Sequence, residues 1–138
     1  MEPQLTILAN GLRVVTVPLQ HLHSADVAIY IKVGGRNDPP DRTGLAHFLE
    51  HMLFRGTADY AGPLEIEAAF ESLGGTVNAA TDADSTCFYG RIHPDFAEKG
   101  LEILASMVLR PKLEGVELER RIIGEEALED ISQEGDEI

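Results

Sequence analysis

His47 and His51 stand four residues apart, and Glu50 comes directly before the second. On a helix, positions i and i+4 lie one turn apart on the same face, so both imidazoles can reach a single ion. Glu50, three residues after His47, lies close enough to that face to touch a water on the ion. Neutral imidazole is a zinc ligand. Two of them, a third ligand and one open position make the donor set of a catalytic zinc site, and a carboxylate beside its water can act as general base. The competing reading is a pair of helix histidines bonded to solvent or to a carboxylate. With five His and fifteen Glu in the chain, this spacing arises by chance with a probability of roughly 0.02, so the context has to decide.

The elements around the motif are legible. Phe48, Leu49, Met52 and Leu53 supply the apolar body that would bury the helix, Thr43 is placed to cap it, and Gly56-Thr57 closes it. Ahead of it, Asp26 to Val33 is β-branched and aromatic and reads as a largely buried strand, ended by Gly34-Gly35 and the loop Arg36 to Arg42. Leu5 to Leu8 and Leu12 to Val17 read as a hairpin around Asn10-Gly11. His21 and His23 sit in the polar connector that follows and read as surface residues. Downstream, Leu64 to Leu73 reads as a helix, Thr76 to Thr81 and Thr86 to Ile92 as strands, and Pro94 to about Leu109 as a helix. In that helix Phe96, Leu101, Leu104, Ala105 and Val108 recur at helical spacing. A last helix runs from Glu114 or Gly115 to about Ile131, with Val116, Ile122, Ile123, Leu128 and Ile131 as its buried positions. Met52, Phe54, Phe70 and Phe88 are core candidates, and His93 caps or solvates the turn before Pro94. The order β-β-β-α-α-β-β-α-α indicates an α+β domain with helices packed on one face of a mainly antiparallel sheet.

Bulk properties exclude several classes. The composition, 43% hydrophobic and 25% charged, is that of one folded domain over residues 1–138. The net charge of −13, from 24 acidic against 11 basic residues, repels nucleic acid and anionic membranes and favours basic peptides or cations. Most of that charge serves solubility; Glu114 to Glu137 alone carries ten acidic residues. No apolar run is long enough to cross a bilayer, and Met1-Glu2-Pro3-Gln4 lacks the basic start of a secretory signal. Cys87 is the only cysteine, so the expectation is a reducing, cytoplasmic location.

Two histidines need a further ligand. The last helix offers Glu117, Glu119, Glu125, Glu126 and Glu129. Glu119 and Glu126, seven residues apart, share a face across two turns. Ligand chemistry alone leaves all five open, and a solvated acidic face fits most of them and is the better reading of any one taken singly.

The stretch Gly44-Leu45-Ala46-His47-Phe48-Leu49-Glu50-His51-Met52-Leu53-Phe54-Arg55-Gly56-Thr57 resembles the active-site segment of the pitrilysin/insulinase metallopeptidases, which include the mitochondrial processing peptidase; H-x-x-E-H is their inverted zinc signature. Gly34-Gly35-Arg36, Gly74-Gly75-Thr76-Val77-Asn78-Ala79-Ala80-Thr81 and Glu119-Arg120-Arg121-Ile122-Ile123-Gly124-Glu125-Glu126 resemble further segments of that family, in the same order. The resemblance runs from about Leu5 to Ile131. It implies a processing-peptidase-like fold and Zn²⁺ held by His47, His51 and Glu126, with Glu125 as the fallback third ligand. It further implies Glu50 as general base, and Glu119 as a carboxylate that orients a ligand from behind. Asn78 and Ala79 would hold a peptide substrate docked as an added strand.

Family members resemble two larger halves that enclose the substrate, so the expectation is an incomplete N-terminal half. Its partner would be a complementary C-terminal half, a second subunit or another copy of itself. Gly124, inside the last helix, costs about 1 kcal/mol relative to Ala and would loosen the third ligand. The function implied is zinc-dependent cleavage of short or unfolded peptides. A non-catalytic scaffold or partner-binding subunit of the same family is the alternative. A small lyase acting on S-ribosylhomocysteine also carries an H-x-x-E-H helix, but it needs a cysteine on its metal and another for its chemistry. Cys87 stands alone in a predicted strand and reads as a small buried residue.

Overall fold

The computed structural model describes residues 2–135, and of residues 127–135 the backbone alone. The chain forms strands β1 (Gln4–Ile7), β2 (Arg13–Thr16) and β3 (Ala25–Ile31), helices α1 (Leu45–Leu53) and α2 (Pro63–Ser72), strands β4 (Thr76–Thr81) and β5 (Thr86–Ile92), then α3 (Ala97–Leu109) and α4 (Val116–Gly135). The class is α+β, as the sequence indicates. The strands divide into two antiparallel sheets, a β1–β2 ribbon and a three-stranded sheet in the order β3-β5-β4.

The three-stranded sheet is covered on one face. In β5, Thr86, Phe88, Gly90 and Ile92 point inward and are buried, while Tyr89 and Arg91 point the other way and are exposed. The same alternation makes β3 half-buried rather than largely buried: Val27 is in the core, but Tyr30 is 74% exposed. Helices lie against the inner face alone among the described residues, so a β-branched run supplies only one packed side. The inner face carries Phe70 of α2, Phe88 of β5 and Ile103, Leu104 and Met107 of α3, all fully buried. Removing either phenylalanine would cost about 3–5 kcal/mol, a large part of the ~5–15 kcal/mol that holds a domain folded.

Helix α3 is phased differently from its sequence reading. Gly100, Ile103, Leu104 and Met107 face the sheet, whereas Phe96 and Leu101 are each 44% exposed. Gly100 explains the rotation: a Cβ there would come within 2.5 Å of Ile92 Cδ1 and 3.2 Å of Val27 Cγ2, so its missing side chain lets α3 lie close on the strands. Val116, expected to be buried, is 42% exposed at the start of α4. The expected burial of Leu128 and Ile131 falls outside the described side chains.

Helix α1 buries Ala46, Met52 and Leu53 against this core, but Leu49 is 45% exposed. Its cap is Asp38 rather than Thr43. Gly44, with φ of 91°, turns the chain into the helix, and the Asp38 carboxylate accepts from Gly44 N at 2.7 Å and Ala46 N at 2.9 Å. Such a carboxylate also lies favourably at the positive end of the helix dipole. The helix ends at Leu53, capped by Phe54, short of Gly56-Thr57. Thr57, fully buried, instead accepts from Asp59 N and Tyr60 N and meets Ser106 Oγ of α3 at 2.8 Å, fastening the turn after α1 to the third helix.

Candidate metal centre

The same side of α1 that leaves the core carries His47 and His51. Their rings meet edge to face, with centroids 4.6 Å apart, and the two Nε2 atoms are separated by 3.1 Å. Glu126 of α4 brings Oε2 to 3.6 Å from His51 Nε2. One ligand atom from each of the three falls within 4.8 Å of the others, and among the described residues this is the one group of His, Cys, Asp or Glu so arranged.

The donor set fits zinc. Tetrahedral Zn²⁺ with bonds of ~2.0–2.1 Å needs neighbouring nitrogens about 3.3 Å apart, close to the separation of the two imidazoles. Two rings directing Nε2 at one point also need something electropositive between them unless one of them donates to the other.

The environment of His51 bears on the same question. Its Nδ1 lies 2.9 Å from Glu119 Oε1. Donation of Nδ1–H to that carboxylate leaves Nε2 as a free lone pair, the tautomer a metal requires. Glu119 is only 4% exposed. Its other oxygen, Oε2, is buried without a hydrogen bond, with the Arg55 guanidinium 3.4 Å away as a charge contact. An ionised carboxylate so buried is expensive unless positive charge surrounds it. Arg55 provides part of that charge, and a cation beyond His51 would provide more.

Glu50 is half-buried on the side of α1 that faces β4. Thr81 Oγ1 donates to Glu50 Oε2, and Thr81 lies 3.3 Å from Thr86 Oγ1, which donates to the Val33 carbonyl at 2.9 Å. The loop beyond Thr81 is closed by Asp82, whose Oδ1 accepts from Asp84 N and Ser85 N, each at 2.7 Å. Those two backbone bonds hold the Asp82 carboxyl below its ordinary range. Gly35 N and Arg36 N donate to the Asp82 and Ala83 carbonyls at 2.9 and 2.8 Å, and Arg36 pairs with Asp84. The Gly34-Gly35-Arg36 turn thereby fixes this loop beside His47. An open cleft of about 540 Å³ there is lined by Arg36, Thr43, Gly44, His47, Thr81 and Asp82, among others.

Glu117 pairs with Arg120 at 3.5 Å and Glu125 lies outside the cluster, while Glu129 falls outside the described side chains. Asn78 is exposed on β4, an edge of the three-stranded sheet, and faces away from α1; its Oδ1 accepts from Ala79 N at 2.8 Å. Ala79 is half-buried on the opposite face. Cys87 is half-buried on the outer side of β5. His21 and His23 are exposed, and His93 accepts from Asp95 N at the turn before α3. Three residues that spacing did not single out brace the site: Thr81 against Glu50, Arg55 against Glu119, and Asp38 against the first turn of α1. Arg55 could have been found, since it lies four residues beyond His51. The contacts of Thr81 and Asp38 depend on how strands and loops come together, which local spacing does not encode.

The family model described as Insulinase (Peptidase family M16) matches residues 13–138. An uncharacterized zinc protease of Mycobacterium leprae is 38% identical, over 88% of this chain and 27% of that protein. A probable beta subunit of the mitochondrial-processing peptidase of Arabidopsis thaliana is 33% identical over 99% of this chain and 26% of that one. Among solved structures, pitrilysin superposes with a TM-score of 0.80 at 30% identity, over 91% of this chain and 14% of that one. A protease from Helicobacter pylori superposes at 0.84 with 32% identity, over 91% and 30%. The chain thus spans about a quarter of the length of the curated relatives it matches.

Proposed function

The chain belongs to the insulinase family, peptidase family M16, and from that premise we propose that it carries the zinc site of a metalloendopeptidase acting on short or unfolded peptides. His47, His51 and Glu126 hold the ion, and Glu119 orients His51 through its Nδ1 proton. Bound zinc supplies Lewis acidity, polarising the scissile carbonyl and making water acidic enough to attack near neutral pH. Glu50 takes the proton of the attacking water and returns it to the leaving amine. The peptide lies along β4 as an added strand, with Asn78 and Ala79 on its path. The observation that carries the reading is the convergence of both Nε2 atoms and Glu126 Oε2 on one point, with a buried carboxylate behind His51. The rest of the substrate chamber comes from a complementary half or second subunit.

The test is zinc analysis of the purified chain together with cleavage of a quenched fluorescent peptide. Glu50→Gln should keep the zinc and lower cleavage by about 10²–10⁴-fold, the range of general-base catalysis. Zinc bound at one equivalent with cleavage absent or independent of Glu50 would instead favour a non-catalytic scaffold subunit.

A further inference from the structure

A hydroxyl carries one proton and can donate only once. Thr86, 6% exposed, directs its proton to the Val33 carbonyl at 2.9 Å. Its oxygen lies 3.3 Å from Thr81 Oγ1, well beyond the ~2.7–2.8 Å of a good hydroxyl bond, so it competes poorly for the Thr81 proton. That proton is left for Glu50 Oε2. Thr81 and Thr86 are direct partners in the β4–β5 register, so the donor is fixed by the sheet rather than by a loop.

We infer that Thr81 is a positioning residue for Glu50: its hydroxyl holds Oε2 and leaves Oε1 as the oxygen that takes the water's proton. The inference rests on the peptidase reading. The base stands on α1 and the peptide is to dock on β4, so Thr81 references the base to the strand that would hold the scissile bond. Misplacement of a reacting group by about 1 Å can cost on the order of 10²-fold in rate, which makes such a tether consequential.

The experiment has two arms. With the zinc-loaded chain and a quenched peptide, Thr81→Val should lower kcat about tenfold or more while KM and zinc content stay within about twofold. Thr81→Ser, which restores the hydroxyl, should recover most of the rate. Urea unfolding of the metal-free chain supplies the second arm, as a double-mutant cycle of Thr81→Val with Glu50→Ala. Thr81→Val should lower the midpoint when Glu50 is present and leave it unchanged when Glu50 is already Ala. Additive midpoints, an unchanged kcat in Thr81→Val, or a loss that serine does not rescue would each overturn the inference. If the zinc-loaded parent chain cleaves nothing, the peptidase reading fails for this chain; the cycle then decides whether Thr81 anchors Glu50.

Discussion

Helix α1 presents His47, Glu50 and His51 from a base held at three points: Asp38 at its first turn, Thr81 on β4 beside Glu50, and Glu119 behind His51. Glu126 reaches the same point from α4 with its side chain 47% exposed, two residues after Gly124. The first turns of α4 are fastened through buried Glu119, which touches both His51 and Arg55. Beyond them the helix carries its ligand into solvent. On the proposed reading, one side of the site is braced by the fold itself, and the exposed Glu126 would gain its order from closing on the ion. Sites whose supporting groups lock a ligand's rotamer hold geometry better than those that leave it free. The histidine side should accordingly dominate affinity, and the glutamate side should set how easily the metal leaves.

The largest effects should fall on the braced side. His51→Ala removes a ligand and strands the Glu119 carboxylate, so zinc should no longer survive dialysis at one equivalent. Glu119→Gln keeps all three ligands but loses the charge that holds the His51 tautomer, and should weaken zinc by about 10–100-fold in a chelator competition. Equal losses from the two substitutions would remove the distinction between ligand and support.

A smaller effect is expected on the free side. A Cβ at Gly124 meets nothing within 4 Å, so Gly124→Ala should stabilise α4 by up to about 1 kcal/mol, read as a higher urea midpoint. It should also slow zinc release without changing the ligands. A lower midpoint would mean that the glycine serves a contact or a bend.

The smallest effect concerns acid, and it tests the frame around the motif rather than the motif. Asp59 is held low by the Ser106 hydroxyl, Asp82 by the backbone N–H groups of its turn, and Asp26 by the hydrogen-bonded Arg91 guanidinium. Each folded value lies below the unfolded one, so between them the unfolded chain binds more protons and stability rises with pH. Their contribution is complete above the unfolded value of about 3.9 and disappears as the pH falls through the lower folded values. Urea midpoints of the metal-free chain should therefore drop below about pH 4, and Asp82→Asn should flatten part of that drop. Because these groups are exposed, solvent screening keeps the effect slight.

The same contrast separates what could be read in the sequence from what could not. The motif helix, the order of elements and the Asn10-Gly11 hairpin follow from local periodicity and turn chemistry, and the described elements agree in order. Local pattern failed where packing decides. Leu101 and Phe96 fit a helical stripe, yet Gly100 rotates α3 onto the sheet by a close approach that composition does not reveal. Tyr30 sits in a strand rich in β-branched residues, but only one face of that strand meets helices. Thr43 had the right chemistry for a cap and Asp38 the right place. Ligand chemistry could not rank the five glutamates of α4, because their distances to His51 depend on where α4 crosses α1. The β1–β2 ribbon marks the other limit: Leu5, Ile7 and Val15 are each at least 60% exposed, and strand propensity says nothing of what they face in a longer chain.

The most direct test is a crystal structure of the zinc-loaded chain, with the ion located by its anomalous scattering. The account predicts one strong peak within ~2.0–2.2 Å of His47 Nε2, His51 Nε2 and a Glu126 carboxylate oxygen, with Glu119 still on His51 Nδ1 and Glu50 off the metal. A peak at other residues, or one coordinated by Glu50 in place of Glu126, would contradict it.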